Sequence, residues 1–112
     1  MRLKSKIYVQ ALIRRAEAQG AAAFVVRSGA ADAGAIFIKI NRLDGHCDVL
    51  GPSQRVGRDG EIERIWTRPL GSGASEEKAQ EYFSRQMKFD PDIWIVEIED
   101  RDGRSFVDEA ID

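Results

Sequence analysis

An α+β fold is what this chain predicts. The expectation is one domain over residues 1–112, with a mainly antiparallel sheet of about five strands and two helices in the order α-β-β-β-β-α-β(-β). Three observations carry it. Apolar residues recur at helical spacing near each end of the sheet-forming region, strict alternation runs through residues 35–42, and turn signals separate short β-rich runs. The stretch Asp90-Pro91-Asp92-Ile93-Trp94-Ile95-Val96-Glu97-Ile98-Glu99-Asp100 reads as the central strand. Side chains alternate along a strand, so Trp94, Val96 and Ile98 share one face, and Ile93, Ile95, Glu97 and Glu99 share the other.

In chain order, Tyr8, Val9, Leu12, Ile13 and Ala16 form the apolar stripe of a first helix over 6–19, with Ser5 as its N-cap and Gly20 as its stop. Ala22 to Arg27 is a strand. Between Ala35 and Arg42, Ile36, Ile38 and Ile40 point one way and Phe37, Lys39 and Asn41 the other, the mark of a sheet with one covered face and one open face. Leu43-Asp44-Gly45 supplies a hairpin turn into a strand at 46–50, followed by a loop over 51–60 and a strand over 61–67. Ser75 caps a second helix, with Glu76 and Glu77 at the positive end of its dipole. Pro91 ends that helix near Phe89, because the residue before a proline is pushed out of helical geometry. Arg104 to Val107 is predicted to return as an edge strand, and Asp108 to Asp112 to fray. Both helices are expected on one sheet face.

Composition narrows the function. Lys and Arg number 17 against 19 Asp and Glu, a net charge of −2, without the basic excess or stripe of a general nucleic-acid surface. Arg55, Arg58, Arg64 and Arg68 are too few and too balanced by acids to reverse that. Cys47 is the only cysteine, which precludes an intramolecular disulfide and fits a reducing cytoplasm. Arg14 and Arg15 interrupt the N-terminal apolar residues too early for a signal peptide or a membrane span. The expectation is a cytoplasmic protein with no membrane contact.

The candidate chemistry is sparse. Glu97 and Glu99 project together from one strand face, with Asp102 close in sequence, an oxygen-rich pattern that could serve a divalent-metal-dependent hydrolase or nuclease. A solvated sheet face with Lys39 opposite the glutamates explains the same residues more simply. His46 and Cys47 are adjacent on a strand and point to opposite faces, so they do not converge as a nucleophilic pair, and no further ligands complete a zinc site. Gly71-Ser72-Gly73-Ala74-Ser75-Glu76 starts like a dinucleotide fingerprint, but Glu76 stands where a glycine should and would repel a pyrophosphate. Gln54 to Gly60 shares its glycine and arginine pattern with an acyl-CoA loop but leads into a strand rather than a helix. No cofactor or bound metal is predicted. What remains is an apolar patch of Phe37, Ile93 and Ile95 beside Lys39 on the open sheet face, which calls for a protein partner or a second subunit in a homodimer.

Two blocks, Ala31 to Gly45 and Phe89 to Asp100, together with the Met1-Arg2-Leu3-Lys4-Ser5 start, resemble a family of small alphaproteobacterial proteins designated domain of unknown function 1491. The resemblance spans essentially the whole chain and is weakest over Pro52 to Ser75. It implies a bacterial cytoplasmic protein of this length and brings no functional residue with it. The reading is a non-catalytic protein-interaction module, with the carboxylate-based hydrolase as the alternative.

Overall fold

In a computed structural model, residues 3–112 are described. The elements are α1 (Ser5–Ala18), β1 (Ala22–Arg27), β2 (Ile36–Asn41), β3 (His46–Val56), β4 (Ile62–Thr67), β5 (Ala74–Ser75), α2 (Glu76–Phe89) and β6 (Trp94–Glu99). The strands form a six-stranded sheet in the order β1-β6-β2-β3-β4, with the short β5 also paired to β3. The last strand therefore lies between the first two, which gives it the central place its apolar sequence demands. It runs antiparallel to β1 and parallel to β2, so the sheet is mixed.

The stripe Tyr8, Val9, Leu12 and Ala16 buries α1 on the face made by Ile36, Ile38, Ile40, Trp94, Val96 and Ile98. Ser5 is not the cap. Lys4 occupies that position without a side-chain bond, while Ser5 lies buried in the first turn and its hydroxyl donates to the Gly34 carbonyl at 2.6 Å. That bond ties α1 to the loop over 28–35, which also reaches the start of β6. Ala30 N–H donates to Asp92 O at 2.9 Å, and the Trp94 indole N–H donates to Ala30 O at 2.8 Å. Two glycines permit the approach: a Cβ on Gly29 would stand 2.1 Å from Asp92 O, and one on Gly34 would stand 2.4 Å from it.

The second helix goes to the other face. Its start and stop are as expected, with the Ser75 hydroxyl accepting from Lys78 N–H at 3.2 Å and Asp90 outside helical geometry. Ala79 and Phe83 pack on Phe37, Cys47, Val49, Ile93 and Ile95, so the helices sandwich the sheet instead of sharing a face. The physical reason is that β2 and β6 carry apolar residues on both faces, and each face needs a cover.

Two further expectations change. The strand from His46 continues to Val56, and Gly51 to Val56 pairs with β4, so only the tip at 57–61 is loop. Arg104 to Val107 is not a strand; the chain runs irregularly through Phe106 at φ 62 to a single bridge between Ile111 and Trp66. The last residues do not fray. Trp66 N–H donates to Ala110 O at 2.8 Å and Asp112 N–H donates to Trp66 O at 2.7 Å. Among the described residues, no helix is long and apolar enough to cross a membrane.

Candidate functional site

The parallel register sets Lys39 beside Glu97 and Asn41 beside Glu99. Lys39 Nζ lies 3.4 Å from Glu97 and also donates to Glu76, which α2 brings down at its first turn. Burial alone would lower the Lys39 pKa, but the two carboxylates outweigh it and hold the ammonium charged above its ordinary range. A cation so held is neither nucleophile nor base. Glu97 is committed to Lys39 and to Asn41 Nδ2 at 3.4 Å, Glu99 stands half-exposed, and Asp102 lies on the exposed turn after the strand. Among the described residues, no three histidine, cysteine or acidic side chains gather in metal-binding geometry.

The patch predicted on an open face is covered. Phe37 is 6% exposed, Ile93 1% and Ile95 4%. Tyr82 and Phe83 of α2 meet Phe37 edge-on, with ring centroids 6.0 and 6.3 Å away. Lys39 sits at the margin of this cluster, at the floor of a groove of about 380 Å³ between α2 and β1 whose apolar lining is Val26, Phe83, Met87 and Ile95.

That groove opens on the edge of the sheet. The only strand neighbour of β1 is β6, and its outer edge is free among the described residues. Phe24, Val25 and Val26 are 43%, 38% and 53% exposed, with Phe24 on the α2 face opposite Glu97 and Val25 on the α1 face opposite Val96. A register shift between Val25 and Arg27 turns Val26 toward the groove. The opposite edge is closed at Trp66, where the tail bridges to β4, while Ile62 farther along the strand stays exposed. There Glu109 Oε1 accepts from Tyr8 Oη at 2.6 Å and from Trp66 Nε1 at 2.9 Å, and Arg15 holds Phe106 O and Asp108. Burial pushes the Tyr8 phenol far up, and the Glu109 carboxylate raises it further. Burial would also raise Glu109, but its bonds from Tyr8 and Trp66 prevail and hold it below the usual carboxylate range.

The family model described as "Protein of unknown function (DUF1491)" matches residues 3–108. The chain belongs to the DUF1491 family. Among solved structures, it is similar to a DUF1491 family protein from Caulobacter crescentus CB15. The crystal structure matches with a TM-score of 0.86 at 45% identity, covering 99% of this chain and 100% of that chain. An NMR structure of a DUF1491 family protein from the same organism matches with a TM-score of 0.83 at 45% identity, over 100% of this chain and 98% of that chain. The solution structure of a protein from A. tumefaciens matches with a TM-score of 0.81 at 36% identity, over 97% and 95% of the two chains. No curated protein matches significantly.

Within this DUF1491 chain, sequence reasoning missed the β1 edge and the Tyr8–Glu109–Trp66 contact. The first had a signal. Ala22 to Val26 is apolar at every position, without the alternation of an ordinary half-exposed strand. The second had none, since its partners lie 101 and 43 residues apart.

Proposed function

We propose that this DUF1491 protein is a cytoplasmic, non-catalytic interaction module that pairs with a second copy of itself along β1. The observation that carries the reading is an edge strand with a free outer side among the described residues and exposed Phe24, Val25 and Val26, the last of which lines the groove beside α2. Folded proteins ordinarily blunt such an edge with lysine, proline or a covering segment, because its free N–H and C=O groups template another strand. Here β1 carries no lysine or proline, and its one charge, Arg27, and its bulge lie at the end of the strand, leaving Ala22 to Val25 unguarded. An antiparallel copy related by a two-fold at Phe24 sets the two phenylalanines side by side, places Ala22 against Val26 and brings no like charges together in the paired segment. Main-chain bonds would supply affinity, and the groove would take the apolar side chains on the α2 face. The reading keeps the interaction function expected from the sequence but moves it from Phe37, Ile93 and Ile95 to the neighbouring edge. The buried, unpaired Cys47 is consistent with a reducing compartment.

The test is light scattering coupled to size exclusion across a concentration series, on the wild type, Phe24→Asp and Val26→Lys. A wild-type dimer that both variants convert to monomer, with helix and strand content unchanged, supports the reading. A wild type monomeric up to millimolar concentration overturns it.

A further inference from the structure

The closed edge carries a second feature, independent of β1. A cleft of about 400 Å³ lies between α1, the β3–β4 hairpin and the tail, in the size range of small-molecule sites. Its apolar wall includes Leu3 and Ile62, and its charged lining is Arg15 and Arg64 against Asp108 and Glu109. The two cations differ. Arg15 Nη1 is bonded to Asp108 Oδ2 at 2.8 Å, whereas Arg64 rests over the Tyr8 ring at 5.5 Å and makes no ion pair or side-chain hydrogen bond among the described residues. The carboxylates likewise retain capacity. Asp108 Oδ1 and Glu109 Oε2 receive no hydrogen bond from another described residue, because Arg15, Tyr8 and Trp66 all use the other oxygens.

We propose that this cleft binds a small zwitterion of the aliphatic α-amino acid class. The guanidinium of Arg64 takes the ligand carboxylate, the spare oxygens of Asp108 and Glu109 take its ammonium, and Leu3 and Ile62 take its side chain. Charge balance selects this class. Among the described residues the lining sums to zero, which favours a ligand without net charge, and the unpaired Arg64 facing two spare carboxylate oxygens favours a zwitterion over a neutral molecule. The Tyr8 ring 5.5 Å from the Arg64 guanidinium carbon attracts the cation toward the cleft, which reduces the ordering that binding must impose.

The experiment is an amide NMR titration of the full chain with L-leucine, alongside 4-methylpentanoate, which lacks the ammonium, and 3-methylbutylamine, which lacks the carboxylate. Saturable shifts centred on Ile62, Arg64 and Glu109 are expected with leucine, and binding of each half-ligand weaker by roughly tenfold or more. Arg64→Gln should abolish the leucine shifts. Glu109→Gln retains an acceptor for Tyr8 and Trp66, so the fold persists while leucine binding weakens. Absence of saturable shifts with leucine overturns the proposal, as does a half-ligand that binds equally well or leucine binding unchanged in Arg64→Gln.

Discussion

The two edges of one sheet are finished in opposite ways. At the β4 edge the end of the chain folds back: Ile111 bridges to Trp66, and Glu109 joins Tyr8 of α1 to the Trp66 indole. At the β1 edge nothing among the described residues covers Phe24, Val25 and Val26. The sealed edge is held by contacts that reach the core, because Tyr8 and Trp66 both belong to the cluster under α1. The open edge reaches that core through β6, through Ala23, which packs against the cluster, and through direct contact with α1. Closing an edge from within thus couples it to the stability of the whole fold, while an edge left open is free to be shaped by what binds it.

The sharpest way to break the contrast is Trp66→Ala. Removing a fully buried indole at the sealed edge should cost about 3–5 kcal/mol in urea unfolding. A loss under about 1 kcal/mol would mean that the tail and the core are not coupled there. Next comes Glu109→Ala, which leaves the Tyr8 hydroxyl and the Trp66 N–H without their acceptor. About 1–3 kcal/mol is expected, with faster hydrogen exchange at Trp66 and Asp112. Exchange unchanged at those amides would show that the backbone bonds alone hold the tail.

Acid should loosen the sealed edge through the same carboxylate. Glu109 is held below its ordinary 4.5, and Asp48 and Asp100 below 3.8. Burial opposes the shift at Asp48, and its bonds from Gly73 N–H and Arg42 overcome it; Arg104 is the main cause at Asp100. A carboxylate with a depressed folded pKa contributes stability that is fully present above its unfolded pKa and is lost as pH falls through the folded one. Melting temperature should therefore hold steady above the ordinary carboxylate range and fall below it, and Glu109→Gln should make that fall shallower. An identical acid profile in the variant would remove Glu109 from the account. The smallest effect belongs to the open edge. Phe24→Ser should lower monomer stability by only about 1 kcal/mol, from the buried half of the ring, while abolishing any dimer. A large loss of stability in the monomer would show that the edge belongs to the core after all.

Much of this was legible locally. Ile36, Ile38 and Ile40 alternate and do line one face; Ser75 does cap α2; Pro91 does follow its end; Trp94 is buried and Glu97 does pair with Lys39. The misreading of Phe37, Ile93 and Ile95 came from their polar neighbours. Lys39 and Glu97 look like a solvated face, yet each neutralises the other well enough to sit at the margin of a helix-covered cluster. Gly29 and Gly34 read only as turn residues, although their real task is to let a loop touch the start of β6.

By itself, then, the sequence determined both helices, most of the strands and one buried side of each, because periodicity, caps and proline act within a few residues. Tertiary structure decided the rest: β6 between β1 and β2, the two helices on opposite faces, one edge sealed and the other open. An amphipathic element specifies that it needs a cover but not which cover, and that choice depends on the combined fit of surfaces from distant parts of the chain.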